Sequence, residues 1–302
     1  MPQLSRRKFG LVIASSAIAS AQEDTGLTFR SDTREVLLHA TVVDRKGSFV
    51  TDLPRDAFKV FEDGVEQKLK VFRREDVPVS MGLIVDNSGS MRRKRKKVED
   101  SAMALVKASN RQDEIFIVNF NDVAYRDADL TSDIKKLEEG LSRIDSKGGT
   151  AMRDALTLSM DYIKEKGKKS KKVLLIVTDG DDTASSDSNT LEKLLSKAQR
   201  SEVLIFAIGI LNEEDRRLAK RAQRALELLT KQSGGIAHFP KDVDSVEDVA
   251  LQIAKEIRSQ YIIAYAPTKP DDGSYRQIKV PVKGAGLTVR TRTGYYAKPD
   301  EK

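Results

Sequence analysis

The chain has 302 residues, of which 39% are hydrophobic, and it carries a formal net charge of +7 and no cysteine. This length allows more than one domain and a buried hydrophobic core. The absence of cysteine excludes disulfides, thiolate metal sites, cysteine catalysis and lipid attachment at an N-terminal cysteine. Without Arg6, Arg7 and Lys8 the chain keeps 50 basic against 46 acidic residues, a charge of +4. A charge of this size does not by itself predict nucleic-acid binding.

Residues 1–21 have the pattern of an export signal. A basic start at 5–9 precedes an apolar stretch at 10–19, and the Ala-Ser-Ala sequence at 19–21 fits a small-x-small cleavage site. The arginine pair resembles a twin-arginine signal, although Gly10 stands where a large apolar residue is usual. A general secretion signal and an uncleaved short anchor are the alternatives.

The apolar stretch of this leader is shorter than the roughly 20 residues that a membrane-spanning helix requires. No later segment of the sequence is long enough either. We therefore expect a periplasmic or secreted protein with no transmembrane segment in the mature chain.

The segment 27–77 is predicted to be a small N-terminal β module. Alternating side chains over Val36–Val43 indicate a strand, and the following Asp-Arg-Lys-Gly sequence at 44–47 indicates a turn. Two further strands, near 58–61 and 67–72, flank Glu62-Asp63-Gly64, which is a good hairpin signal.

Strands and helices then alternate over 79–265. This order predicts an α/β fold with a doubly wound, mostly parallel sheet that is covered by helices on both faces. The segment at 123–125 is expected to add a short antiparallel edge strand. The predicted strands lie at 82–86, 114–120, 172–178, 203–209 and 260–265. The predicted helices lie near 97–109, 134–144, 152–165, 189–201, 214–232 and 246–259.

The C-terminal segment 266–297 returns to a β pattern, with alternation around Ile278–Val282 and again around 287–290. Neither this segment nor 27–77 has enough strands to be stable alone. We therefore expect the two to pair into one small β-sandwich, with the α/β domain inserted between them. Two separate β appendages packed on the α/β domain are the alternative.

Polar residues follow the ends of two predicted strands. Asp86, Ser88 and Ser90 come directly after the first apolar strand, and Asp179 ends a second one. Thr150 follows two glycines and precedes a predicted helix. Because strand ends and their loops gather at one edge of a parallel α/β sheet, we expect these five residues to converge there. Oxygen ligands of this kind suit a hard cation such as Mg²⁺.

This arrangement resembles the von Willebrand factor type A (VWA) family and its metal-ion-dependent adhesion site (MIDAS). That site combines Asp-x-Ser-x-Ser with a threonine in a second loop and an aspartate in a third. The resemblance covers roughly 79–265, and it implies a Rossmann-like fold that binds Mg²⁺ or Mn²⁺. A looser resemblance, to a group of exported bacterial VWA-related proteins, rests on Phe61–Gly64 and on Thr291–Tyr296. The matching metal ligands are Asp86, Ser88, Ser90, Thr150 and Asp179.

The resemblance implies that Ser88, Ser90 and Thr150 bind the ion directly, while Asp86 and Asp179 ligate it or hold its waters. Neutral hydroxyls quench little of the charge, so the ion stays electrophilic and favours the carboxylate of an Asp or Glu on a protein partner. An alternative reading is that Asp86 and Ser88 only cap a helix. It leaves Thr150 and Asp179 unexplained.

Six basic residues at 92–97 follow the first metal loop. We predict that Arg92, Arg93, Lys94 and Arg95 form a rim that steers an acidic partner to the metal. A merely solvated face is the alternative. Nucleic-acid binding is not expected, because no aromatic residues interleave with the run and export removes the target.

The sequence lacks several motifs that are typical of enzymes. Ser88 stands where a phosphatase of the haloacid dehalogenase type needs a second acid, and neither a zinc-protease helix nor a nucleophile elbow occurs. His39 and His238 are expected to be structural. We therefore predict a non-enzymatic protein-binding module for adhesion, assembly or scaffolding. A metal-dependent hydrolase and a structural scaffold with an inactive metal site are the alternatives.

Overall fold

The computed structural model describes residues 35–74, 76–142, 146–211 and 215–297. The predicted export signal at 1–21 lies outside these residues. Strands run in chain order as β1 (Val36–Val43), β2 (Val60–Glu62), β3 (Val65–Gln67), β4 (Leu69–Arg73), β5 (Val79–Asp86), β6 (Glu114–Phe120), β7 (Ala124–Thr131), β8 (Lys171–Thr178), β9 (Val203–Gly209), β10 (Ala237–His238), β11 (Tyr261–Tyr265), β12 (Tyr275–Lys279), β13 (Thr288–Arg290) and β14 (Gly294–Tyr296). The α-helices are α1 (Arg95–Ala108), α2 (Ile134–Ser142), α3 (Met152–Lys166), α4 (Leu191–Arg200), α5 (Arg216–Ser233) and α6 (Val246–Arg258).

A six-stranded sheet in the order β10-β9-β8-β5-β6-β7 forms the centre of the molecule. Strands β5, β6, β8 and β9 are parallel, and the two-residue β10 extends the sheet in parallel beside β9. At the other edge β7 pairs antiparallel with β6, which confirms the predicted edge strand. Within the described residues, no helix is both long enough and apolar enough to cross a membrane.

Both faces of this sheet are covered by helices. One apolar cluster joins alternate residues of β5, such as Met81 and Leu83, to α1, α2 and α6. The other joins the opposite face, including Ile84 and Phe116, to α3, α4 and α5. Every residue of β5 is buried as a result, which explains its almost continuous apolar sequence. The predicted α/β, doubly wound, mostly parallel fold is confirmed.

The prediction that the strand at 260–265 belongs to the parallel sheet is wrong. Strand β11 pairs antiparallel with β1 and β4 in a separate sheet, and the edge of the central sheet beside β9 is taken by β10. An apolar strand sequence shows that a segment is buried, but not which sheet buries it. The α/β part of the chain therefore ends with α6 rather than at Tyr265.

Strands from both flanks of the α/β part share two four-stranded sheets, ordered β13-β1-β11-β4 and β14-β12-β2-β3. N-terminal β1 pairs with C-terminal β13, and N-terminal β2 pairs with C-terminal β12. Their facing side chains form one apolar core that includes Leu38, Val60, Ile263 and Tyr265. We call this part the β-sandwich. The hairpin between β2 and β3 turns at Asp63 and Gly64, both with positive φ (48° and 81°), as a type I′ turn requires.

A buried charge cluster lies in the sheet β14-β12-β2-β3 and is linked to the other sheet of the β-sandwich through Tyr265 of β11. The Glu62 carboxylate accepts hydrogen bonds from Tyr265 (2.7 Å), Tyr295 (2.9 Å) and Arg276 Nη1 (3.1 Å). Arg276 is completely buried and Glu62 is 1% exposed. Burial raises the pKa of both tyrosines, so they remain protonated hydrogen-bond donors. The two motifs of the looser resemblance, around Glu62 and around Tyr295, therefore meet in this cluster.

The two connections between the β-sandwich and the α/β part lie side by side. Arg258, the last residue of α6, donates to Asp76 (2.8 Å) and to the Val77 carbonyl (3.3 Å) in the segment before β5. It also donates to Asp113, whose other oxygen accepts from the Val79 backbone N–H at 2.8 Å. Entry into β5 and exit from α6 are thereby fixed at the same end of the sheet.

The Glu62→Ala variant tests the buried cluster. We expect it to lower the free energy of unfolding by about 3–5 kcal/mol, because it removes the buried carboxylate beside Arg276 and leaves only the exposed Asp272 at 3.5 Å as its acidic partner. The measurement is urea denaturation followed by circular dichroism. The matched control is Glu66→Ala in the same hairpin, where an exposed pair with Lys59 contributes only about 0–1 kcal/mol. Equal losses in the two variants would contradict this role for Glu62.

The Lys171→Met variant tests a buried ammonium at the start of β8. Lys171 is 3% exposed and donates to the Ile257 carbonyl, and burial lowers its pKa to about 7. Between about pH 7 and pH 10 the unfolded lysine binds a proton that the folded one has lost, so stability rises with pH in that window. The free energy of unfolding of the parent, relative to the variant, should rise there by up to a few kcal/mol. A flat difference from pH 7 to pH 10 would show that the folded lysine keeps its proton.

Candidate metal centre

Asp86 ends β5 at the carboxyl edge of the central sheet and is completely buried. Its Oδ1 accepts from the Ser88 backbone N–H at 2.8 Å, and its Oδ2 accepts from the Thr178 hydroxyl at 2.6 Å. Burial raises the pKa of Asp86 to about 6, and the hydrogen bonds from Thr178 and Ser88 offset part of that effect. Asp86 is therefore a rigidly held carboxylate that ties the end of β5 to the end of the adjacent strand β8.

Ser88, Ser90 and Asp179 are in direct contact although two distant stretches supply them. The hydroxyls of Ser88 and Ser90 are 3.1 Å apart, and the Ser90 hydroxyl donates to Asp179 Oδ1 at 2.7 Å. The side chain of Asp179 has no exposed surface. A short 3₁₀ helix, Gly89–Arg93, turns the chain directly after Ser88 and so brings Ser90 back towards the end of β8.

The loop that carries Thr150 is held against both of the other loops. The backbone N–H of Gly89 donates to the Gly148 carbonyl at 3.1 Å, and the backbone N–H of Thr150 donates to the Thr183 hydroxyl at 3.0 Å. Gly148 has a φ of +73°, and a Cβ at this position would collide with the Asp122 carboxylate. No hydrogen bond among the described residues uses the Thr150 hydroxyl, which leaves it available to a ligand. The structure shows no direct bond from Thr150 to Ser88, Ser90 or Asp179.

Lys94 turns towards the site rather than towards solvent. Its ammonium donates to Asp179 Oδ2 at 2.6 Å and to the Ile210 carbonyl at 3.3 Å. The Lys94 side chain is 23% exposed. The two oxygens of Asp179 are thus divided between the Ser90 hydroxyl and the Lys94 ammonium.

Most of the basic run at 92–97 has partners within the protein. Arg92 donates to the Ser146 carbonyl at 3.1 Å, and Arg95 donates to the Asn87 side chain and the Leu141 carbonyl. Lys96 pairs with Asp100 and Lys97 pairs with Asp244. Arg93 is exposed and has no hydrogen bond or ion pair with any residue of the described ranges. Of the four predicted rim residues, Lys94 alone forms an ion pair within the described ranges, and Arg93 is the one with neither a hydrogen bond nor an ion pair there.

The remaining acidic residues of the third loop have structural roles. Asp182 accepts from the Arg153 backbone N–H at 2.7 Å, at the start of α3, and from the Ser185 hydroxyl at 2.6 Å. Asp181 lies 2.5 Å from the Arg221 guanidinium. Thr178 and the inward position of Lys94 were missed from the sequence. Thr178 precedes Asp179 directly, and its hydroxyl at the end of the apolar run Val173–Val177 was the available signal.

The two histidines lie outside this site. His39 belongs to β1 of the β-sandwich, and burial lowers its pKa well below the usual range. His238 belongs to the edge strand β10, where burial also lowers its pKa.

The donor set fits a hard divalent cation. The carboxylates of Asp86 and Asp179 and the hydroxyls of Ser88 and Ser90 lie at the ends of β5 and β8. The Thr150 loop, whose threonine hydroxyl is uncommitted, is joined to this group through the backbone bond from Gly89 to Gly148. No group of three or more His, Cys, Asp or Glu within the described ranges has a metal-binding arrangement. A site here would therefore depend on serine and threonine hydroxyls, which suit Mg²⁺ or Mn²⁺ better than a softer ion.

Part of the chain matches a known domain family. Residues 81–181 match the family model of the von Willebrand factor type A domain. Mouse integrin alpha-11 is 30% identical over 112 residues, which cover 35% of this chain and 9% of that protein. The chain thus spans only a small part of this relative's length.

Two solved structures share the fold. A von Willebrand factor type A protein from Catenulispora acidiphila is 12% identical with a TM-score of 0.52, over 90% of this chain and 76% of that one. Proximal thread matrix protein 1 from the mussel byssus, with a zinc-occupied MIDAS motif, is 15% identical with a TM-score of 0.52, over 66% and 50%. The family match covers 81–181, about a third of the chain, and with these likenesses it shows the fold of a von Willebrand factor type A domain in that part.

Proposed function

We propose that this protein binds an acidic residue of a protein partner through a divalent cation, Mg²⁺ or Mn²⁺, held by Asp86, Ser88, Ser90, Thr150 and Asp179. The observation that carries the proposal is the contact of Ser88, Ser90 and Asp179 at the end of two parallel strands. The zinc-occupied motif of the mussel protein supports a divalent cation in this fold. The likeness to an integrin chain supports an adhesive or scaffolding role.

The chemistry of the donors accounts for the choice of ligand. A bound cation would keep much of its charge, because hydroxyls neutralise none of it and only Asp86 and Asp179 contribute negative charge. A carboxylate from a partner is a strong oxygen donor for such an ion. Arg93, exposed beside the site, adds a positive charge that attracts an acidic partner during the encounter.

The proposal assigns no catalytic residue to the site. Ser88 occupies the position at which a phosphatase of the haloacid dehalogenase type would need its acid, and both histidines lie outside the site. We further propose that the protein acts in the periplasm or outside the cell, which rests on the export pattern at 1–21.

The Thr150→Val variant tests the metal site. It keeps the shape of the side chain but removes the hydroxyl, so we expect Mg²⁺ and Mn²⁺ affinity to fall by about tenfold or more. Isothermal titration of each ion into purified protein, with Zn²⁺ as a third ion, measures the change. Thr150→Ser is the matched control and should bind as the parent does. Parent-like affinity in Thr150→Val would remove Thr150 from the site.

Chelation tests whether the metal is needed for binding or for folding. The loops are already held by protein hydrogen bonds, including Asp86 to Thr178 and Ser90 to Asp179. We therefore expect EDTA to weaken capture of partners from envelope extracts while the helical circular dichroism signal stays unchanged. A large loss of that signal in EDTA would show that the ion stabilises the fold itself. Capture that is equal with Mg²⁺ and with EDTA would contradict the metal-dependent function.

A further inference from the structure

Lys94 occupies a position where a lysine is electrostatically unfavourable. It lies at the junction between the 3₁₀ helix Gly89–Arg93 and α1, in the N-cap position of α1, and its side chain makes no capping hydrogen bond there. Positive charge is disfavoured at a helix N-terminus because of the unpaired backbone N–H groups and the helix dipole. Asp, Ser, Thr and Asn are the residues usually found there. Local structure therefore does not explain Lys94.

The contacts of Lys94 supply a reason for its presence. Its ammonium bonds to Asp179, a residue of the candidate metal site, at 2.6 Å, and the Ile210 carbonyl provides a second acceptor at 3.3 Å. Asp86 and Asp179 place two buried carboxylates in the site. Among the described residues, Lys94 is the one that forms an ion pair with either of them. The Lys94 ammonium thus neutralises negative charge in the site, as a bound divalent cation would also do.

Lys94 and a cation would compete for the same carboxylate. The Asp179 Oδ1 bonds to the Ser90 hydroxyl and the Oδ2 to Lys94. An ion bound by Ser88, Ser90 and Asp179 would stand within a few ångströms of the ammonium, where like charges repel strongly in surroundings of low dielectric constant. The flexible stem of lysine allows its ammonium to move away while the backbone keeps its place.

We propose that Lys94 is a built-in competitor of the metal, so that a divalent cation binds by displacing the Lys94 ammonium from Asp179. This inference rests on the metal site of the proposed function and adds its regulation. Displacement makes the affinity for the ion lower than the oxygen donors alone would give. It also moves a positive charge outward beside Arg93, so that the metal-loaded site presents a more basic rim to an acidic partner.

The Lys94→Met variant tests this competition. Methionine removes the ammonium and keeps an unbranched side chain of similar length. We expect Mg²⁺ to bind the variant about tenfold more tightly or better, a factor that corresponds to about 1.4 kcal/mol. The measurement is isothermal titration of Mg²⁺ and Mn²⁺ into the full chain.

The matched control is Arg93→Met, which removes one positive charge from the adjacent, uncommitted residue. We expect its Mg²⁺ affinity to stay within about twofold of the parent, because the exposed Arg93 charge acts through water of high dielectric constant and makes no contact with Asp179. Equal tightening in both variants would reveal a general effect of charge and would overturn the inference. No tightening in Lys94→Met, with a parent that binds Mg²⁺, would also overturn it and would leave the metal site intact. Absence of ion binding in the parent and in both variants would overturn the metal site as well.

Chemical labelling gives a second test that needs no variant. Lys94 should react more readily with acetic anhydride in saturating Mg²⁺ than in EDTA, because displacement frees its ammonium from Asp179. Peptide mass spectrometry reports the extent of reaction. Lys97, which is exposed and paired with Asp244, is the internal control and should be unaffected by Mg²⁺. Equal reactivity of Lys94 in the two conditions would contradict displacement.

Discussion

The hydrogen bond between Asp86 and Thr178 is the interaction on which the site depends. It links the carboxyl ends of β5 and β8, two parallel neighbours in the central sheet, at 2.6 Å. Because this bond holds the two strand ends together, the Ser88–Ser90 turn after β5 lies beside Asp179 after β8. The Ser90 hydroxyl can therefore donate to the Asp179 carboxylate. The backbone bond between Gly89 and Gly148 then adds the Thr150 loop. The register of the central sheet thus determines how the side chains of the three loops are placed relative to one another.

Much of the α/β part could be predicted from the sequence, because its signals are local. The apolar strands of the central sheet and the helices between them show their own periodicities. The placement of Asp86 and Asp179 at one edge follows from their positions at the ends of two such strands. Strand β11 could not be assigned correctly, since its apolar sequence fits any buried sheet. The two-residue β10 was missed because it is too short to show a period.

The features that could not be predicted depend on the direction of a side chain or on a contact between residues far apart in the sequence. A run of six basic residues does not indicate which side chain points inward. The contact of Lys94 with Asp179 could therefore not be predicted from the sequence. The charge cluster of the β-sandwich joins Glu62 to Arg276, which are 214 positions apart. Either residue alone resembles an ordinary solvated surface charge. A single sequence does not indicate that two such charged residues form a pair.

The positions at which the chain enters and leaves the α/β part determine which contacts would bear a mechanical load. Arg258, Asp76 and Asp113 fasten both crossings at the amino end of β5, whereas Asp86 stands at its carboxyl end. The eight residues of β5 separate these two ends by about 26 Å at roughly 3.3 Å per residue. Tension on the flanking strands would therefore be borne by the β-sandwich and by the bonds of Arg258 to Asp76 and Asp113. The three loops of the candidate metal site, at the opposite end of β5, would carry little of that tension, so a pull on the flanking strands would leave the arrangement of the candidate ligands in place.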